Sequence, residues 1–367
     1  MAIRLPRFLS RKTSAQRDQE LRAHRHAILK SLVDPLSEAE GGGNKPNLNA
    51  LTKKLARIDS LSLTVKFFGY ELARTLSEAL PPVDDIPAQE IDIASKLSTQ
   101  ADISADWVGH WCRELKIGRV FHRKVWELAF VLQAIHRHGS MRPGARGLGF
   151  GCGREPIPSY LAAHGVTVTV TDQAPEAMRE QGWSSTGQHT ATLEDSFHPH
   201  LVSREGFDAH VGLRYVDMNA IDGDLGDYDF CWSICALEHL GSIDLGLAFI
   251  ENALRTLRPG GLAVHTTEFN IVNGGPTIDN WPTVLFQRRH FEALAERLRA
   301  KGHDVAPFDF DPGHMPLDKF IDIPPYQVEW DDEITQAWEG DGTPHLKVDV
   351  DGFACTCFGL VIRRGQG

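Results

Sequence analysis

Between residues 145 and 268 the chain switches repeatedly between two hydrophobic periods, and this alternation narrows its possible folds more than any other feature. Short apolar runs at 145–149, 166–171, 210–216, 228–233 and 261–268 are separated by segments of three- and four-residue apolar spacing near 156–164, 175–181 and 243–257, with another at 289–301. Runs this short suit strands buried on both faces, and the spacers are long enough for crossover helices. The pattern predicts a doubly wound α/β domain with a mostly parallel sheet. Residues 345–363 read as two strands meeting at the Asp351-Gly352 turn, an antiparallel C-terminal hairpin.

The part before this domain has a different texture. Residues 1–30 carry Arg4, Arg7, Arg11, Lys12, Arg17, Arg22, Arg25 and Lys30 against Asp18 and Glu20 and lead into Gly41-Gly42-Gly43. Residues 1–45 are expected to be a basic, flexible arm, either a solvated tail or a contact for an anionic partner. Residues 46–140 form a helical region in this reading. Leu51, Leu55, Ile58 and Leu61, then Val65, Phe68, Leu72 and Leu76, keep helical spacing up to Pro81-Pro82, and a second helical group spans 105–138. The α/β domain then occupies 141–367.

Charge and cysteine usage exclude several classes of function. A net charge of −11 leaves no chain-wide basic footprint, which argues against nucleic acid as the main partner. No apolar stretch has the length of a membrane helix, and the N-terminus lacks a secretory apolar core. Six cysteines without a C-x-x-C framework suggest reduced thiols in a cytoplasmic protein. Cys355 and Cys357 alternate on a strand, where packing is the expected role.

The chemistry concentrates at Gly147-Leu148-Gly149-Phe150-Gly151-Cys152-Gly153-Arg154-Glu155-Pro156, between a strand and a helix. Alternate glycines allow a sharp bend and bring a ligand against bare N–H groups. Asp172 ends the next strand, where a carboxylate can accept both ribose hydroxyls of an adenosine ligand. A dinucleotide fingerprint fails on its own spacing, because the third glycine position falls on Arg154 or Cys152.

The observed G-x-G-x-G resembles the loop of class I S-adenosylmethionine-dependent methyltransferases. The resemblance continues in order through Val216-Asp217-Met218-Asn219, the segment Tyr228-Asp229-Phe230-Cys231-Trp232-Ser233 with Glu238-His239-Leu240 after it, and Leu257-Arg258-Pro259-Gly260-Gly261. It implies a Rossmann-like seven-stranded sheet and S-adenosylmethionine as cofactor. Asp172 would hold the ribose and Asp217 and Met218 the adenine. Gly149, Gly151 and Gly153 would take the methionine side, with Trp232 also counted among the cofactor residues. Two positions depart from the family: Gly149 stands where an acid usually opens the loop, and Glu155 where a glycine often closes it. Glu155 is therefore a candidate to face the cofactor's ammonium, or else to cap the following helix.

Methyl transfer asks mainly for alignment and exclusion of water, and a hydroxyl acceptor also needs a base. His239, after the fourth strand, is the candidate base, with Glu238 beside it. Glu238, His239 and Glu268 also resemble the ligand set of metal-dependent RNA and ubiquinone-pathway O-methyltransferases, with Cys235 where that family has a further glutamate. His122, Arg123 and Lys124 read as an exposed basic helix face, or else as a segment that closes over the acceptor. Residues 266–287, with Asn270, Asn280 and Trp281, are expected to border the acceptor or form a lid. The resulting expectation is O-methylation of a small molecule or glycan intermediate. A catalytically inactive cofactor-binding protein and a metal-assisted RNA O-methyltransferase are the alternatives.

Overall fold

The computed structural model describes residues 48–174, 192–324 and 344–366, without the side chains of 48–54 and 59. The expected basic arm and the expected helix at 175–181 lie outside the described residues. By internal contacts the chain divides into two units, Met1–Phe68 and Gly69–Gly367. The helix α1 (Leu48–Glu78) contributes residues to both.

Within 69–367 the elements follow in order. They begin with β1 (Ser95–Leu97), α2 (Gln100–Ser104), α3 (Asp106–Leu115) and α4 (Arg123–Arg137). Next come β2 (Arg146–Phe150), α5 (Ile157–Ala163), β3 (Thr167–Asp172), α6 (Arg204–His210) and β4 (Val211–Tyr215). The central part adds β5 (Tyr228–Ile234), α7 (Ile243–Ala253), β6 (Leu257–Asn270) and α8 (Arg288–Ala300). The chain then adds β7 (Asp304–Val305), β8 (Phe308–Asp309), β9 (Val348–Val350) and β10 (Phe353–Arg363).

The ten strands among the described residues join one sheet with the order β4-β3-β2-β5-β6-β10-β1-β8, while β7 and β9 pair on β10. The pairs from β4 to β6 are parallel, as the apolar runs predict, and β10 lies antiparallel on β6. β9 and β10 form the expected hairpin, whose turn residues Asp351 and Gly352 both have positive φ. The sheet is Rossmann-like, extended beyond the expected seven strands by short additions. β1 is one of these, and its three residues are too few to leave a period in the sequence.

Strand side chains alternate between two cores. On β5, Phe230 and Trp232 enter the core shared with α3, α4 and α5, whereas Cys231 enters the one shared with α7 and α8. The helices at 100–137 thus cover one face of the sheet. Neighbouring β2 keeps that same face bare. An added Cβ at Gly147 would stand 2.5 Å from the Phe230 ring, and one at Gly149 would stand 2.5 Å from the Trp232 ring. These two glycines make room for stacked indole and phenyl rings whose centroids lie 5.9 Å apart.

Candidate cofactor and acceptor cavity

The strand ends and the loops after them enclose a cavity of about 880 Å³. That lies toward the upper end of the ~300–1,000 Å³ usual for small-molecule sites. Its floor is the bend after β2. Gly151 and Gly153 have φ of 60° and 52°, a left-handed conformation that side chains disfavour. A Cβ at Gly151 would lie 2.9 Å from Cβ of Ala236 and 3.6 Å from Sδ of Met218, so the bare peptide is needed for this close approach. The bend is pinned to β3, because Cys152 N–H donates to the Thr171 carbonyl at 3.2 Å and Thr171 Oγ1 donates to the Gly149 carbonyl at 2.8 Å.

Asp172 lines the cavity at the end of β3, and the Gln173 N–H donates to its Oδ1 at 2.8 Å. The Val216 N–H donates to the Asp172 carbonyl at 3.0 Å, which brings Asp217 and Met218 to the same wall. Gly151, Gly153, Glu155, Asp172, Asp217, Met218 and His239 thus share one cavity, although they come from four separate segments. A bare bend, a carboxylate for a ribose and an apolar thioether wall fit an adenosine cofactor.

Two residues grouped with them from the sequence are placed differently. Gly149 is outside the lining, for the packing reason given above. Trp232 is fully buried and also outside the lining, and its Nε1–H donates to Glu155 Oε2 at 3.0 Å. Burial pushes the Glu155 carboxyl up to about 8 despite that bond.

The same cavity is also lined by Lys124, Cys235, His239, Asn280, Trp281 and Pro282. His239 Nδ1 lies 3.1 Å from the Pro282 carbonyl and 3.2 Å from Thr283 Oγ1. A carbonyl only accepts, so the ring donates to it from Nδ1. Glu238 is fully buried, lies outside the lining and accepts from Thr267 Oγ1 at 2.9 Å. Burial, together with the Glu268 carboxylate, raises its pKa.

Glu268 is ion-paired with Arg123 at 2.8 Å, both side chains being nearly buried. Arg123 is therefore not part of an exposed basic face, as its neighbours in sequence suggest. Lys124 reaches the cavity and pairs with Glu127 at 3.4 Å, whereas His122 caps α4 by accepting from the Lys124 N–H. Glu238, His239 and Glu268 do not converge as ligands. Among the described residues, the group whose ligand atoms lie within 4.8 Å of one another is Glu127, Cys235 and Cys357. Arg123 Nη1 stands 3.6 and 3.5 Å from its two sulfurs, and the Cys235 thiol donates to Glu127 at 2.9 Å, so a guanidinium occupies the position a cation would need. Burial opposes ionisation of Glu127, but Lys124, Arg123 and the Cys235 and Thr266 donors bring it down to about 2. None of this cluster is legible in sequence, since its members come from α4, the end of β5 and the middle of β10.

Residues 148–265 match the family described as a methyltransferase domain. No curated protein matches the chain. Among solved structures it is similar to phosphoethanolamine N-methyltransferase 2 of Haemonchus contortus in complex with S-adenosyl-L-methionine, at 18% identity and TM-score 0.39, covering 64% of this chain and 52% of that one. It is also similar to the cyclase SpnF, at 17% identity and TM-score 0.40, covering 82% and 97%. Magnesium protoporphyrin IX methyltransferase from Synechocystis PCC 6803 with bound SAH matches at 11% identity and TM-score 0.39, covering 69% and 86%. These likenesses are too distant to transfer a substrate. The family match, on the segment that carries the glycine bend and most of the parallel strands, supports a class I S-adenosylmethionine-dependent methyltransferase domain. The cofactor that this family uses is S-adenosylmethionine. No helix among the described residues is long and apolar enough to cross a membrane.

Proposed function

We propose that the cavity carries out methyl transfer from S-adenosylmethionine to a hydroxyl oxygen of a small molecule or glycan intermediate. The observation that carries this reading is that Gly151, Gly153, Asp172, Asp217 and Met218, which suit an adenosine, line the same cavity as His239, Asn280 and Trp281. When bound, the cofactor supplies a methyl already activated on a sulfonium. The chain's own residues then have three tasks. Asp172 holds the ribose hydroxyls, with Asp217 and Met218 beside the adenine. Trp281 and Asn280 offer an apolar face and an amide for a hydroxylated ring, and the lid segment around them excludes water. His239, fixed through Nδ1 by Pro282, takes the acceptor's hydroxyl proton on Nε2. Glu238 has no direct part in this scheme, because it is sealed beneath the site.

The test combines calorimetric titration of S-adenosylhomocysteine with transfer of a labelled methyl group into small-molecule cell extract. Asp172→Ala should abolish measurable binding. His239→Gln should leave binding intact while slowing transfer by about 10²- to 10⁴-fold. Label recovered on nitrogen, or an unchanged rate in His239→Gln, would overturn the oxygen-acceptor scheme.

A further inference from the structure

We propose that Glu155 is a relocated acid: held by the indole of Trp232, the ring that fills the space beside Gly149, its carboxylate takes the ammonium of the cofactor's amino-acid end. The inference rests on the cofactor reading above and concerns the two positions where this chain departs from the family pattern. At Gly149 a side chain would force its neighbours to shift, since a Cβ would stand 2.2 Å from Cys152 Sγ and 2.5 and 2.9 Å from two indole atoms of Trp232. The ring that excludes an acid there donates its N–H to Glu155 Oε2 at 3.0 Å. Glu155 in turn lies on the cavity wall with Gly153 and Asp172. One indole therefore links the lost acid to the gained one.

The surroundings favour a cation at this point. The charged and titratable groups acting on Glu155 come from several elements. Asp172 ends β3, Cys152 is in the bend, Glu127 and Lys124 are on α4, and His198 touches the backbone of Arg154 and Glu155. Two carboxylates oppose one ammonium among the fixed charges, so an arriving ammonium relieves repulsion instead of adding to it. With the carboxyl raised to about 8 by burial, the ligand-free site is largely protonated at pH 7. Binding the ammonium draws that proton off into solvent, giving carboxylate, bound ligand and one released H⁺. The sign follows from linkage: affinity falls as pH drops, about tenfold between pH 7 and pH 6.

The test is calorimetry at pH 6 to 8, in buffers of different ionisation heat, on the native chain, Glu155→Gln and Trp232→Phe. The ligands are S-adenosylhomocysteine and 5′-methylthioadenosine, which keeps the nucleoside and lacks the amino-acid end. The native chain should bind both, and only S-adenosylhomocysteine should release close to one proton at pH 7. Glu155→Gln should weaken S-adenosylhomocysteine by about ten- to hundredfold and remove its proton release, while 5′-methylthioadenosine binds as before. Trp232→Phe, which keeps the acid and loses its anchor, should give a smaller loss with the same ligand selectivity. Equal binding of S-adenosylhomocysteine by native and Glu155→Gln, or equal loss of both ligands, overturns the relocation while the cofactor reading stands. Failure of the native chain to bind either ligand overturns the cofactor reading and this inference with it.

Discussion

Alanine at Gly149 puts one methyl group into a space that β5 already fills. Its Cβ would lie 2.2 Å from Cys152 Sγ, 2.5 Å from Cζ2 and 2.9 Å from Cε2 of Trp232, where ordinary contacts are about 3.5–4.0 Å. The ring cannot retreat cheaply. It is fully buried, bonded through its N–H to Glu155 and stacked on Phe230 with 28° between planes. Overpacking of a well-filled core costs about 1–3 kcal/mol, and with two rigid neighbours overlapped the upper end applies. At about 2–4 °C per kcal/mol in a large domain, the melting temperature should fall by about 6–12 °C. Urea unfolding and thermal melts measure this against Gly223→Ala, whose Cβ would meet nothing within 4 Å. Trp232→Leu removes much of the obstruction, so the double variant should show a coupling of about 1–2 kcal/mol. A Gly149→Ala protein within 0.5 kcal/mol of native, or strict additivity with Trp232→Leu, would refute this account of the glycine.

Two further outcomes follow from the buried polar groups. Arg123→Met or Glu268→Leu alone should cost about 3–5 kcal/mol by leaving an uncompensated charge, and the double variant should cost far less. Equal and additive losses in urea unfolding would refute the pairing. Burial lowers His265 to about 3, against about 6.5 in the unfolded chain, while Ser233 lies 2.8 Å from its Nδ1. Between those values only the unfolded state binds the proton. Stability should therefore fall as pH drops from 6.5 toward 3, by up to about 1.4 kcal/mol per unit from this group. His265→Gln should flatten that slope, and identical pH profiles for the two proteins would contradict it.

Much of the fold is legible before any coordinates. The five apolar runs between 145 and 268 fall on β2 to β6 within a few residues, and the Asp351-Gly352 turn joins β9 to β10, because period and turn chemistry are local properties. The short β1 escapes, since three residues carry no period and their strand character comes from pairing with β10 and β8. Gly151, Asp172 and His239 were legible as cavity residues from their positions at strand ends. Glu238 and Arg123 were not, because a charged residue beside a site looks the same in sequence whether it faces the cavity or a buried partner.

Local spacing by itself determined that a bare bend, a carboxylate and an imidazole would lie at one edge of a parallel sheet. Which groups open onto the cavity was decided by cross-strand register, above all by the pairing of Gly149 with Trp232. That register assigns the ring to the glycine's empty face and sends its N–H to Glu155. The register of β10 on β6 likewise brings Cys357 to Cys235 and α4, a contact between segments far apart in the chain. Side chains separated this widely meet only when the sheet closes, so their contacts leave no period or motif to read.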